Sequence, residues 1–394
     1  MYLHMKVLHI IPSVPKIRGG PSQVVLDMVK ALRINDVDAE IATTNDNGDD
    51  LLNVPLRERI SYEEVPVWFF TRFSPSYRAL REYAFSWDLT IWLLHNLSNY
   101  DVVHVHSIFS YVSTMAMVIA RFKNIPYIVT THGLLCNWSL NQSKFKKQFY
   151  LRMIEESNLV HSKGIHFTSE LEQSEFPKLS FPIPSFVLPI GVSELPNLIP
   201  DSHILIRQNL KIPIDKPIIL FMSRLHPKKG LNILIGALGK VTHHQFTFVI
   251  AGSGTNEYKK EIDTLLIANR IDDRTVYTGF VEGEIKNMLL QGSDLFALTS
   301  YSESFAVVVL EAMANGLPVL VTPEVALSNI VKKYEFGYVP EPNISAIASA
   351  IDSFFTHCQE SNNMSTSARQ FISENYTWKK IAYQLQEVYK KLTY

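Results

Sequence analysis

PIILFMSRLHPKKGLNILIGALGKV, residues 217–241, decides the fold. Ile218 to Met222 is an unbroken apolar run, too short for a helix and bounded by polar residues. Such a strand is buried on both faces, as in a parallel sheet covered by helices. From Gly230 the apolar residues recur at helical spacing. Between strand and helix lie Arg224 and Lys229. A helix N-terminus with two cations beside it suits an anion such as phosphate. Both cations can converge on one diphosphate; a solvated Lys228–Lys229 pair is the bland alternative.

The same strand–helix alternation continues outward on both sides. After residue 241 come FTFVIAGSG, TVYTGF, DLFALTS and PVLVTP as strands, with helical patterns between them. Before it, KVLHIIP, DVVHVHS, IPYIVTTHG and IHFTSE are strands separated by helical stretches such as PSQVVLDMVKAL. Pro182, Pro184, Pro189, Pro196 and Pro200 exclude a helix there and mark a last strand, SFVLPIGV, followed by a linker. The expected fold class is therefore α/β: two Rossmann-like doubly wound domains joined near 195–200, with ligands beyond the carboxyl ends of the strands. Two such domains facing each other would form a cleft. The C-terminal segment reads as two helices broken at ENYTW, with Thr377 capping the second.

The 394 residues are too many for one ordinary core. A net charge of −1 gives no reason to expect a nucleic-acid partner. Cys136 and Cys358 are far apart and fit a reducing compartment. The apolar run around Val7–Ile11 is too short for a secretory signal, and no run approaches the ~18–20 residues that span a bilayer. A cytoplasmic protein is expected. Two stretches, residues 67–95 and KFKKQFYLR at 144–152, interleave aromatics with basic residues. They suit a surface touching lipid headgroups or sugars, or helices that pack the aromatics inward.

Further strand ends carry suggestive residues. Gly252 and Gly254 in AGSG would let backbone approach a ligand, or would make a tight turn. Gly19-Gly20 sits where a mononucleotide fold places its phosphate loop, with Pro21 in the first helical turn. Glu303 and Glu311 stand eight residues apart around an apolar run. On one continuous helix they would be about 80° and about 12 Å apart, poor partners for each other. With Glu303 in a loop and Glu311 two turns into a helix opening near Phe305–Val307, both reach different points of one elongated ligand. The free N–H groups of Ala306 and Val307 would face its charged middle. No dense His/Asp set with ligand spacing is present along the chain, so no metal is expected.

In order and spacing these motifs resemble the glycosyltransferases of family 4, with the GT-B fold, of the bacterial polysaccharide-biosynthesis type. The resemblance covers nearly the whole chain: Gly19-Gly20, DVVHVH, TTHG, HFTSE, SRLHPKKGL, AGSG, YTGFV, and Glu303-x7-Glu311 followed by AMANGLPV. It implies an N-terminal acceptor-binding domain over 1–196, a nucleotide-sugar-binding domain over 197–375, and a final helix, 376–394, crossing back to the first. It implies transfer of a hexose from a nucleotide diphosphate sugar with retention. Glu303 would hold hydroxyls of that sugar and Glu311 the ribose. Arg224 and Lys229 would neutralise the diphosphate with help from the Gly20 backbone. His132 would lie beside the donor sugar, although a structural histidine is the alternative. Val281 would line the nucleobase, and Ser223, Ser304 and Phe305 complete the donor contacts. The family usually has Gly where this chain has Ala306.

Diphosphate departure needs positive charge, which Arg224 and Lys229 supply without a metal or other cofactor. With no candidate for a covalent nucleophile, front-face transfer is expected. UDP-glucose is the first choice of donor and GDP-mannose the second. The acceptor is expected to be a saccharide or lipid-linked saccharide, with peripheral membrane contact through the N-terminal domain. A sugar-nucleotide epimerase and a non-catalytic sugar-nucleotide-binding protein are the rival readings.

Overall fold

The structure is a computed structural model describing residues 5–179, 181–192, 195–357 and 361–393. Cys136 is buried, whereas Cys358, the other thiol of the sequence reading, lies outside the described residues. The chain divides into two compact units, Met1–Ser193 with Trp378–Tyr394, and Glu194–Thr377.

The first unit holds β1 (Lys6–Ile10), β2 (Asp38–Thr44), β3 (Asp46–Asn47), β4 (Asp50–Leu51), β5 (Arg59–Tyr62), β6 (Val65–Phe70), β7 (Val102–His106), β8 (Tyr127–Thr130), β9 (Gly164–Phe167) and β10 (Ser185–Val187). Eight of them form one sheet, in the order β10-β9-β8-β7-β1-β2-β6-β5. It is parallel except for the antiparallel β5–β6 pair. The second unit holds β11 (Ile218–Met222), β12 (Thr247–Ala251), β13 (Thr275–Gly279), β14 (Leu295–Leu298), β15 (Val319–Val321) and β16 (Gly337–Tyr338). Its order is β13-β12-β11-β14-β15-β16, with every pair parallel. In each sheet the chain builds outward on one side and then returns to build on the other. The reversal falls between β1 and β7 in the first unit and between β11 and β14 in the second. There the loops leave the strand ends in opposite directions and open a crevice.

Strands β11, β12 and β14 are buried along their whole length, as their unbroken apolar runs require. In the first unit, alternation divides the residues between two faces. Leu8, Ile10, Val103, Val105, Val129, Ile165 and Phe167 join one apolar cluster. The alternate positions place His9, His104, His106 and His166 on the other face, all buried.

The final helix, Trp378–Thr393, packs against the helix Gly20–Ile34 and against β7. Its buried residues Trp378, Ile381, Ala382, Leu385 and Tyr389 form a stripe at helical spacing. Tyr389 lies in contact with the histidine face. The hydrogen bonds there have one consistent direction, set by a carbonyl that can only accept. His166 Nε2–H donates to the Leu188 carbonyl at 2.8 Å, which leaves His166 Nδ1 to accept from the Thr130 hydroxyl at 2.8 Å. Thr130 Oγ1 then accepts from His104 Nε2–H at 2.6 Å, and His104 Nδ1 accepts from the Tyr389 hydroxyl at 2.7 Å. Every buried nitrogen of this chain is satisfied only if both imidazoles are neutral.

The two aromatic–basic stretches behave differently. Phe69 and Phe70 are fully buried, and Trp68 packs on Trp92 at 5.1 Å between ring centroids. In the helix Lys144–Tyr150 two aromatics face outward, Phe145 87% exposed and Phe149 69%, beside exposed Lys144 and Lys146, while Tyr150 turns inward to Tyr83. Among the described residues, no helix is long and apolar enough to cross a membrane.

Burial lowers the pKa of His9 to about 3, and burial also lowers those of His104, His106 and His166. The unfolded chain therefore takes up protons below its usual histidine pKa of 6.5 that the folded chain refuses, and stability is lost as the pH is lowered. The loss accumulates below about pH 6.5, where the unfolded rings are charged and the folded ones stay neutral. The melting temperature is expected to drop by several degrees between pH 7 and pH 5.5, read by thermal denaturation. An unchanged melting temperature would mean that these rings are charged in the folded state.

Candidate functional site

Two loops meet at the reversal of the second sheet. The loop after β11 carries Ser223, Arg224, His226, Lys228 and Lys229; the loop after β14 carries Glu303, Ser304, Phe305 and Ala306. Backbone contacts join them. The Tyr301 N–H donates to the Lys228 carbonyl at 2.9 Å, and the Thr299 hydroxyl donates to the Gly230 carbonyl at 2.9 Å. Gly230 has φ +67°, and a Cβ there would lie 1.8 Å from the Thr299 carbonyl oxygen. Only glycine allows the two loops to pass this closely.

Lys229 Nζ donates to Glu303 Oε2 in an ion pair whose side chains are only 14% and 15% exposed. The Glu303 backbone is itself pinned: its N–H donates to the Glu324 carbonyl at 2.9 Å, and its carbonyl accepts from Ala326 N–H at 3.0 Å. Arg224 is exposed. Partial burial, then the positive fields of Arg224, Lys229 and Lys228, hold His226 below its ordinary pKa. The loop thus concentrates positive charge at one place, which an anionic ligand relieves.

Glu303 and Glu311 are not partners of each other. Glu311, in the helix Val307–Ala314, pairs with Lys286 at 2.8 Å. Lys286, in the helix Gly283–Gly292, escaped the sequence reading because nothing local links residues 25 apart. Val281 is half-buried just before that helix, and Phe305 is buried against Tyr376. Ala306 caps the helix Val307–Ala314 with φ +35° and ψ +67°, and no side chain caps the helix start. Its backbone is in the left-handed region, where a Cβ costs about 1–2 kcal/mol. Alanine where the family usually has glycine therefore carries local strain that glycine would not.

Gly252 and Gly254 serve the chain itself. A Cβ on Gly252 would lie 1.9 Å from the Ser223 carbonyl oxygen, and one on Gly254 2.4 Å from that of Leu225. The close approach that requires glycine is therefore between two loops of the sheet.

Gly19, Gly20 and His132 belong to the first unit, and the other candidates to the second. Gly19 has φ +92° and leads into the helix Gly20–Ile34; a Cβ on Gly20 would meet nothing within 4 Å. His132 follows β8 with φ +49°, and Gly133 follows with φ +73°. A non-glycine residue held in this conformation marks a strained site. Glu172, buried and overlooked in the sequence, holds the turn. Its carboxylate accepts from Thr131 Oγ1 at 2.7 Å and Gly133 N–H at 2.6 Å. It also accepts from the Thr168 N–H and hydroxyl at 2.8 and 2.7 Å. The available signal was Ser169 three residues before it, a helix-capping pair.

Burial lowers the His132 pKa to about 4, against the opposing pull of Glu172. Its Nε2 is 3.2 Å from His106 Nδ1, and His106 Nε2 is 3.0 Å from His9 Nδ1. The chain shows no dense ligand set along its length, but the fold gathers one: His9, His104 and His106 each offer a nitrogen, all within 4.8 Å of one another. Both nitrogens of His104 and of His106, and one of His9, are already engaged in hydrogen bonds. An ion would have to displace them.

Comparison with known proteins agrees with this architecture. The family of glycosyl transferases group 1 matches residues 203–371, and the glycosyl transferase 4-like domain matches residues 19–191. An uncharacterized glycosyltransferase of Methanocaldococcus jannaschii is 32% identical over 49% of this chain and 50% of its own. The putative teichuronic acid biosynthesis glycosyltransferase TuaC of Bacillus subtilis is 29% identical over 64% of this chain and 60% of its own. The chain spans about half the length of the M. jannaschii relative and somewhat more of TuaC. Sucrose-phosphate synthase from Thermosynechococcus elongatus superimposes with a TM-score of 0.81 at 18% identity, covering 98% of this chain and 99% of that one. Anabaena HepE, solved in complex with UDP and glucose, gives 0.78 at 21% identity, covering 99% and 100%.

Replacing Ala306 by glycine removes the strain, and replacing it by valine increases it. Ala306→Gly is expected to raise the melting temperature and Ala306→Val to lower it, read by thermal denaturation. Equal melting temperatures would show that this backbone conformation carries no strain.

Proposed function

Because the chain belongs to the family 4 type of glycosyltransferases with the GT-B fold, we propose that it transfers a hexose from a nucleotide diphosphate sugar to a saccharide or lipid-linked saccharide acceptor. The observation that carries this reading is the Lys229–Glu303 pair at the reversal point of the second sheet. While no donor is bound, the two charges neutralise each other. A donor places its diphosphate beside Lys229 and Arg224 and a sugar hydroxyl at Glu303, so each charge exchanges one partner for another. Glu311 accepts from the ribose hydroxyls, and the N–H groups of Ala306 and Val307 face the diphosphate. Ser223, Ser304, Phe305 and Val281 line the same ligand.

The reaction retains anomeric configuration. The bond from the anomeric carbon to the phosphate oxygen breaks, the acceptor oxygen bonds to that carbon from the same face, and its proton passes to the leaving phosphate oxygen. Arg224 and Lys229 stabilise the charge that develops there, so no metal or other cofactor is required. A UDP-hexose is the donor, UDP-glucose ahead of GDP-mannose. The complex of HepE with UDP and glucose supports that order for a protein of the same fold. The exposed Phe145 and Phe149 among lysines support contact with an anionic membrane surface, where lipid-linked saccharides in polysaccharide synthesis reside.

Glu303→Ala and Lys229→Ala are each expected to lower transfer at least about tenfold, about 1.4 kcal/mol, with product formation followed in the presence of EDTA. Wild-type turnover in either variant, or activity restored only by Mg²⁺, would defeat the mechanism. In flotation at low salt, the protein is expected to rise with anionic vesicles. The Phe145→Ser/Phe149→Ser variant is expected to remain at the bottom; a wild-type protein that stays there would remove the membrane contact.

A further inference from the structure

Three imidazoles stand in line on the first sheet: His9 Nδ1 faces His106 Nε2 at 3.0 Å, and His106 Nδ1 faces His132 Nε2 at 3.2 Å. His9 comes from β1, His106 from the end of β7 and His132 from the turn after β8, so the line runs from the buried centre of the sheet to its carboxyl edge. Burial favours the neutral form of all three. A neutral imidazole has one N–H, and each N···N contact needs one proton. The two contacts therefore have only two arrangements, with all protons pointing outward to His132 or all inward to His9.

The inner end decides between them. His9 Nε2 is buried and has no hydrogen-bond partner among the described residues. Inward orientation would place an N–H there with nothing to accept it. Outward orientation leaves only a bare lone pair. Orphaned buried N–H groups are the rarer and costlier of the two. His104 stacks on His106 with centroids 4.1 Å apart but adds no proton to the line, because its own N–H is committed to Thr130.

We propose that His9 and His106 are positioning residues that fix His132 as the tautomer protonated on Nδ1. The turn after β8 then presents a hydrogen-bond donor, suited to a sugar hydroxyl or phosphate oxygen and unsuited to a general base. The identity of that oxygen rests on the glycosyltransferase reading; the tautomer does not.

The test is imidazole ¹⁵N–¹H correlation on the full unliganded chain, with His132 assigned from the His132→Gln spectrum. The expected result is a neutral His132 carrying its proton on Nδ1. His106→Asn keeps an amide N–H near the lost Nδ1–H and is expected to preserve that signature. His106→Leu is expected to lose it, with kcat/KM for transfer lowered about tenfold and restored toward wild type in the asparagine variant. A wild-type His132 protonated on Nε2 would overturn the proposal, and needs no variant to fold. A folded His106→Leu chain with His132 unchanged would also overturn it. So would one equivalent of Zn²⁺ retained after dialysis, because ligation would use the same nitrogens. A wild-type chain with His132 protonated on Nδ1 but without detectable transfer would tell against the functional reading alone.

Discussion

Lys229 and Glu303 meet because the second sheet reverses its order between β11 and β14. The residues are 74 apart in sequence, and each ends a separate strand–loop unit. A parallel sheet covered on both faces by helices admits no charge along its strands. Charged groups can collect only where strands end, and only the reversal point brings two such ends together over an open crevice. Gly230, Gly252 and Gly254 remove the side chains that would hold the loops apart. Glu311 with Lys286 extends the same pattern one helix further.

The first unit solves the opposite problem. Its sheet holds polar residues in mid-strand, on the face to which the last helix docks. They are tolerated because their hydrogen bonds form two ordered chains. One runs from Tyr389 through His104, Thr130 and His166 to the Leu188 carbonyl, tying the last helix to three strands. The other runs from His9 through His106 to His132. The first is satisfied at both ends. The second has one open end inside and the other in a strained turn held by Glu172, which is where a ligand would be met.

The alternation of strands and helices, the basic loop after β11 and the separation of Glu303 from Glu311 were legible in the sequence because each depends on local periodicity and on short-range sterics. The partners of the two glutamates were not, because an ion pair between distant loops leaves no local trace. The histidine face was half legible: residues 104 and 106 alternate as a strand requires, but their meeting with His9 and His132 depends on which strands are neighbours. Ala306 was legible as a departure from the family pattern; its left-handed backbone was not.

By itself, then, the sequence determined two doubly wound units and the residue types at their strand ends, since periodicity and chain stiffness act within a few residues. Only the tertiary structure decided which charges pair, which glycines let loops pass close to one another, and in which direction the buried protons point. Those outcomes depend on strand order and close packing, which bring together groups that the chain itself holds far apart.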